Sequence, residues 1–185
     1  MRPDWTAAWE GLGRALLEAD RAVEAETVFR RQLVLDPGAA PAHANLGIAL
    51  KDQGRLAEAE SALRRAVALG PDLAAAHGAL GEVCAARDDA AGAETAWRRA
   101  WALDPSRAAV AHQLGTLLCA GDHVAEGLTW HRRAVAAAPE VHALWIGFAD
   151  AVGRAERVPD DLGPEITRCF AQEGVDHQLL ERATR

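Results

Sequence analysis

The sequence APAHANLGIALKDQGRLAEAESALRRAVALGPDL, residues 40–73, recurs with a period of about 34 residues along most of the chain. Four whole units are present, at about 6–39, 40–73, 74–107 and 108–141. The registers that carry the repeat are Leu12, Leu46, Leu80 and Leu114; Gly13, Gly47, Gly81 and Gly115; Ala25, Ala59, Ala93 and Gly127; Phe29, Leu63, Trp97 and His131; and Pro37, Pro71, Pro105 and Pro139. A period of this length indicates a stack of small structural repeats.

Each unit predicts two helices, because apolar residues fall at helical spacing on either side of a polar break such as Gln53-Gly54-Arg55. A proline then ends the second helix. Small residues at the glycine and alanine registers let the two helices cross closely. The predicted helices are 6–18 and 21–35, 41–52 and 55–69, 74–86 and 89–103, and 108–120 and 123–137, with Asp4 or Thr6 as the first N-cap.

A fifth unit begins at residue 142 and then departs from the pattern. Trp145, Phe148 and Val152 keep the expected spacing, whereas Gly163-Pro164 interrupts the second helix. Two short helices are predicted at about 164–172 and 176–183. Because the last unit of a stack has no following neighbour to cover its apolar face, this stretch is interpreted as a cap.

The pattern in the first unit resembles that of the tetratricopeptide repeat (TPR) family. The matching residues are Trp9, Leu12, Gly13, Leu16, Ala25, Phe29 and Pro37. The resemblance implies an all-α fold, a right-handed superhelical solenoid of antiparallel helix pairs with four full repeats, a divergent fifth repeat and a C-terminal helical cap. It also implies one domain that spans residues 1–185.

Composition restricts the class of function. The net charge of −7 argues against general affinity for nucleic acid or anionic membranes. No apolar run approaches the about 20 residues that span a bilayer, and the N-terminus lacks the apolar run of a signal peptide. The three cysteines are widely spaced, which favours reduced thiols. We therefore expect a cytoplasmic protein, and the Arg- and Ala-rich composition suggests a bacterial one.

The sequence contains no recognisable catalytic, nucleotide-binding or metal-binding motif, so we expect no enzyme activity, no cofactor and no metal. In three of the four recurring Arg-Arg pairs the first arginine follows a glutamate by four residues, which predicts solvated ion pairs on the second helices. His43 and His77 share a register, but successive units would hold them about 8–10 Å apart, too far to share an ion. They are interpreted as packing residues.

What remains is the surface of the first helix of each unit, which the resemblance implies is a concave groove for a peptide or protein segment. The family's contact positions fall on Glu10, Arg14, Leu17, Asn45, Ile48, Lys51, Asp52, Glu82, His112, Gln113, Thr116, Cys119 and Asp150. Asn45 matches the position that contacts the peptide backbone, where a primary amide can donate and accept hydrogen bonds. The resemblance therefore implies a scaffold for protein–protein interaction.

Three alternatives stay open at this stage. The tail from residue 159 loosely resembles bacterial proteins in which such repeats precede a catalytic domain, for example a methyltransferase, so the chain could be a substrate-recognition domain of a longer enzyme. In that case Phe170, Leu179 and Leu180 would be partly uncovered. The groove could instead be vacant in a protein that spaces other domains. The third alternative is self-association through the ends of the stack.

Overall fold

The computed structural model describes residues 3–121 and 123–155, together with residues 164, 167 and 168. Within the ranges 3–121 and 123–155 the chain forms nine α-helices and no β-strand. Their bounds are α1 Pro3–Glu18, α2 Ala22–Leu35, α3 Ala40–Asp52, α4 Leu56–Leu69, α5 Ala74–Ala86, α6 Ala90–Leu103, α7 Ala108–Ala120, α8 Val124–Ala137 and α9 His142–Arg154. The odd-numbered helices are called A helices below and the even-numbered ones B helices.

The helices form two compact units, Met1–Leu103 and Asp104–Arg185, here the N-terminal and C-terminal units. In the N-terminal unit each A helix packs on the B helix that follows it, and the neighbouring A helices α1, α3 and α5 also touch. In the C-terminal unit α7 packs on α8, and α9 contacts both. The all-α fold of helix pairs is therefore confirmed, whereas the single domain over residues 1–185 stays a prediction.

The predicted helix bounds are confirmed to within two residues except at the N-terminus. There α1 begins at Pro3, so Asp4 and Thr6 lie inside the helix and the predicted cap is wrong. Proline suits the first turn, because its missing N–H would have no intrahelical partner there and its φ is already helical. The predicted helices at 164–172 and 176–183 fall, apart from three residues, outside the described residues.

Each pair is held by a glycine of the A helix facing a large residue of the B helix. A Cβ built on Gly47 would lie 2.5 Å from Leu63 Cγ, and similar overlaps arise in the other pairs. The close approach buries the large partner almost completely, since Leu63 is 0% exposed. The other pairs are Gly13 with Phe29, Gly81 with Trp97, and Gly115 with His131.

Three of the A-to-B turns contain one residue in the left-handed conformation, at Asp20 (φ 58°), Gly54 (φ 75°) and Asp88 (φ 62°). These positions are 34 residues apart, so the same turn geometry recurs. Glycine adopts this conformation without cost, and aspartate is one of the side chains that tolerate it. The predicted polar break between the two helices is therefore a tight turn.

The arginine pairs behave as the glutamate spacing predicts. Arg30 lies 2.8 Å from Glu26 and Arg64 lies 2.5 Å from Glu60, in both cases four residues along one helix. Arg98 pairs with Glu94 in the same way at 2.9 Å. The interpretation of these residues as a solvated, ion-paired surface is confirmed.

His43 and His77 serve packing at the start of their helices. His43 Nε2 donates to the carbonyl of Pro37 at 3.0 Å, and His77 Nε2 donates to that of Pro71 at 3.1 Å. Trp145 occupies the same register and donates to the carbonyl of Pro139 at 2.8 Å. A ring N–H at this register therefore ties the A helices α3, α5 and α9 to the preceding proline turn.

Within the leucine register of the repeat, one residue is exposed. Leu12 is 49% exposed, whereas Leu46 and Leu114 in the same register are 9% and 0% exposed. The reason is positional, because no described helix precedes α1 and covers this side of it.

Candidate peptide-binding surface

The predicted contact residues of the N-terminal unit lie on α1, α3 and α5. On α3, Asn45, Ile48 and Asp52 are three and then four residues apart, so they share one face of the helix. Arg14 on α1 and Glu82 on α5 occupy the register of Ile48. Because α3 contacts both of the other A helices, these side chains belong to one continuous surface, which we call the A-helix surface.

The structure brings Lys51 and Glu82 into direct contact between α3 and α5. Lys51 Nζ lies 2.5 Å from Glu82 Oε2 and 3.7 Å from Asp52 Oδ1. Partial burial works to lower the Lys51 pKa, but the hydrogen bond and charge of Glu82, with that of Asp52, outweigh it and raise the pKa. Lys51 is therefore charged at neutral pH and flanked by two carboxylates.

Asn45 stands at the centre of this surface with its amide unused. The side chain is half-buried, and it makes no hydrogen bond with any residue that the structure describes. Its neighbours are small and buried. They are Ala44, which precedes it on α3, and Gly78 and Ala79, which hold the positions of Ala44 and Asn45 on α5. No long side chain from these positions protrudes beside Asn45, so another polypeptide chain could approach the amide closely.

The remaining residues of the N-terminal set divide into two kinds. Leu17 and Ile48 are partly buried against the hydrophobic core, so only part of each side chain is available to a ligand. Arg14 is exposed and Glu10 is half-buried, and neither forms an ion pair with the described residues. They provide charge at the α1 side of the A-helix surface.

In the C-terminal unit, four predicted contact residues converge on a cleft of about 210 Å³ between α7, α8 and α9. Its lining residues are His112, Thr116, Cys119, His131, Gly147, Asp150 and Ala151. Gln113 is not among them, and its Oε1 is buried without a hydrogen-bond partner in the described chain. A Cβ on Gly147 would overlap the His112 ring, so that ring packs directly on the α9 backbone.

The two histidines of this cleft are neutral at physiological pH. Their ring centroids are 5.0 Å apart with planes at 70°. Burial lowers the pKa of His112, while burial and then the charge of His112 lower the pKa of His131 to about 4. In both rings Nδ1 is buried and has no hydrogen-bond partner among the described residues. Each neutral ring can donate through one nitrogen and accept through the other.

The resemblance placed His112, Thr116, Cys119 and Asp150 among the contact positions, but nothing in the sequence indicated that His131 and Gly147 complete the same cleft. The available signal was a polar residue at a core register, because His131 stands where the other units have Phe29, Leu63 and Trp97. The structure buries His131 in the core, where it is 2% exposed.

Two further classes of site were searched for in the described chain. No three histidine, cysteine, aspartate or glutamate side chains among the described residues are close enough together to hold a metal ion. None of the described helices has the length and hydropathy needed to cross a membrane.

Comparison with known proteins agrees with this geometry. A family model, tetratricopeptide repeat, matches residues 16–83. The chain resembles the structure of YrrB, a TPR protein with an unusual peptide-binding site, with 18% identity and a TM-score of 0.70, over 95% of this chain and 90% of YrrB. It also resembles Pseudomonas aeruginosa PilF, with 18% identity and a TM-score of 0.78, over 98% of this chain and 78% of PilF.

A third similar structure is MamA from Desulfovibrio magneticus RS-1, with 17% identity and a TM-score of 0.74, over 99% of this chain and 98% of the MamA chain. No curated protein matches the sequence significantly. The described chain is thus an all-α protein built from paired helices at a fixed sequence period. Residues 16–83 match the tetratricopeptide repeat model, and the chain shares the fold of the TPR protein YrrB.

Proposed function

We propose that this protein binds an extended polypeptide segment along its A-helix surface and acts as an interaction scaffold rather than an enzyme. The observation that carries the proposal is the unused amide of Asn45. Half-burial removes part of its hydration, and a polar group in that position gains when a partner supplies hydrogen bonds. An extended peptide backbone offers both a carbonyl acceptor and an N–H donor to one primary amide.

The surroundings of Asn45 suit this ligand. The small residues Ala44, Gly78 and Ala79 leave room for the partner's side chains on either side of its backbone. Beside these small residues, Lys51 carries a positive charge and Glu82 a negative one, and their side chains lie 2.5 Å apart. Polar contacts of this kind fix the register of a bound segment more than they raise its affinity.

The cleft of the C-terminal unit supports a second contact of the same kind. Its volume of about 210 Å³ suits one side chain rather than a folded element. The neutral rings of His112 and His131, with the hydroxyl of Thr116 near its mouth, offer donors and acceptors to one polar side chain of a polypeptide. We propose that this cleft receives such a side chain.

The first test uses Asn45→Ala. Peptides are selected on the wild-type protein from a random library, and their dissociation constants are measured by fluorescence anisotropy. Loss of two hydrogen bonds of about 1 kcal/mol each should weaken binding by about tenfold or more. Far-UV circular dichroism should be unchanged, because the amide makes no contact that holds the described fold.

Arg65→Ala is the matched control, since Arg65 is an exposed residue on the B helix α4 and lies away from the A-helix surface. It should bind the selected peptides like the wild type. Equal affinity of Asn45→Ala and wild type for every selected peptide would remove Asn45 from the site and contradict the proposal.

The enzyme-domain alternative stays a prediction, because Phe170, Leu179 and Leu180 lie outside the described residues. An immunoblot of the native host with an antibody to this segment tests it. A band much larger than 19.7 kDa would support a recognition domain within a longer protein. The cytoplasmic location and the bacterial origin also stay predictions.

A further inference from the structure

A second, larger cavity opens on a different side of the N-terminal unit, between the two B helices α4 and α6 and the A helix α5. Its volume is about 600 Å³. We call it the B-helix pocket. Its lining residues are Arg64, Val67, His77, Leu80, Cys84, Ala91, Gly92, Thr95, Ala96 and Arg99.

This pocket is separate from the A-helix surface. The α5 residues that line it are His77, Leu80 and Cys84, which are three and then four residues apart and so form one helix face. Glu82, which belongs to the A-helix surface, lies two residues after Leu80 and two before Cys84. At about 100° per residue, that places Glu82 on roughly the opposite side of α5. A ligand in the pocket would therefore not occupy the peptide site.

Comparison with the preceding repeat shows why space opens here. Cys84 takes the register of Leu50, which is a larger side chain and only 2% exposed. Gly92 takes the register of Glu58, which bonds Arg55 at 2.6 Å and lies 3.6 Å from Arg30. At the register of Leu50 the third repeat therefore carries a smaller side chain, whereas the space beside Gly92 is taken by the carboxylate of Asp89.

The floor of the pocket is apolar. Leu80, Val67 and Ala96 contribute hydrocarbon surface. Burial, followed by the charges of Asp89 and Glu60, raises the pKa of the Cys84 thiol. The thiol is therefore protonated at neutral pH and behaves as a small apolar group.

The charged residues that line the pocket are both arginines. Arg64 pairs with Glu60 at 2.5 Å, but Glu60 also accepts from Arg87 at 2.8 Å, so one carboxylate is shared by two guanidinium groups. Arg99 makes only a long contact of 3.4 Å with the carbonyl of Pro71. The nearby carboxylate of Asp89 accepts the backbone N–H of Gly92 at 2.9 Å and caps α6. Among the described residues no carboxylate forms an ion pair with Arg99, so no ion pair compensates its positive charge.

We propose that the B-helix pocket binds a small amphiphilic monocarboxylate, with its apolar body on Leu80 and Cys84 and its carboxylate on the guanidinium of Arg99 or Arg64. A volume of about 600 Å³ is that of a small-molecule site and exceeds what one protein side chain fills. An apolar body matches the floor, and an anionic head matches the excess of arginine. The class of ligand is that of a medium-chain fatty acid.

The test is isothermal titration calorimetry of the full chain with octanoate, compared with octanol and octylamine. Octanoate should bind with a stoichiometry of one and more weakly as salt is added, because screening reduces the attraction of exposed guanidinium groups. Octanol should bind at least about threefold more weakly, which is the scale of one exposed ion pair. Octylamine should bind more weakly still.

Two variants locate the site. Cys84→Leu restores the residue of the preceding repeat and enlarges a side chain that lines the pocket, so it should abolish binding, and far-UV circular dichroism checks that the variant stays folded. Arg99→Gln should weaken octanoate binding by about threefold or more and leave octanol binding unchanged. Arg65→Gln is the matched control, because Arg65 holds the register of Arg99 in the preceding repeat and does not line the pocket.

The proposal is overturned if octanoate gives no saturable heat, or if octanol and octylamine bind as tightly as octanoate. It is also overturned if Cys84→Leu, with unchanged circular dichroism, binds octanoate like the wild type. None of these results touches the Asn45 test, because the two surfaces lie on different faces of α5 and are probed with different ligands.

Discussion

Trp97→Ala should destabilise the N-terminal unit by about 3–5 kcal/mol, the usual cost of deleting a buried indole. Trp97 is 4% exposed and lies over Gly81, which has no side chain that could move into the space. Its Nε1 also donates to the carbonyl of Gly78 at 3.2 Å, so the substitution removes a buried hydrogen bond as well. Urea denaturation followed by far-UV circular dichroism measures the effect, since the other tryptophans complicate fluorescence.

Trp97→Phe is the control, because phenylalanine occupies the same register in the first repeat, at Phe29. It keeps a ring over Gly81 and loses the hydrogen bond, so a loss of about 1–2 kcal/mol is expected. If Trp97→Ala lowers the free energy of unfolding less than Trp97→Phe does, the indole does not fill the space where α5 and α6 cross. The packing argument for the glycine register would then be wrong.

Acid should destabilise the C-terminal unit through His131. The folded-state pKa of His131 is about 4 and its ordinary value is 6.5, so between these values the unfolded chain binds a proton that the folded chain does not. Stability is therefore full above about pH 6.5 and falls as the pH drops towards 4, by up to about 3 kcal/mol for this group. His112 adds to the loss in the same direction, because burial also lowers its pKa.

His131→Phe separates this effect from the titration of carboxylates. Phenylalanine fits the register, as Phe29 against Gly13 shows, and it has no proton to gain. Urea midpoints should fall less steeply in the variant than in the wild type between pH 6.5 and 4. Parallel midpoint curves for the two proteins would show that His131 is not the group responsible.

The positions of the candidate contact residues were predicted from the sequence, but the contacts between their side chains were not. The residues that face outward on the A helices follow from the repeat register, and the structure places Asn45, Ile48 and Asp52 on one helix face as expected. The contact between Lys51 and Glu82 did not follow, because it depends on how far two long side chains reach between helices. The charge that Lys51 presents to a partner therefore differs from that of an isolated lysine.

Both cavities were absent from the sequence-based predictions. The cleft beside His131 and the B-helix pocket are each lined by residues of three helices. A cavity arises where several small residues coincide, such as Cys84 and Gly92, and each of them alone is unremarkable in a chain that contains 16 glycines. The consequence appears only when the helices are packed.

The sequence by itself determined the helix pairs, their crossings and their turns, because these depend on a period of residue size and polarity that one unit after another repeats. The resemblance of this period to the TPR family supplied the candidate contact residues on the A helices, which stay a prediction. Only the tertiary structure decided which of those side chains are already engaged with each other, which buried histidines are neutral, and where space is left. Those properties depend on distances between residues far apart in the chain, and periodicity carries no information about them.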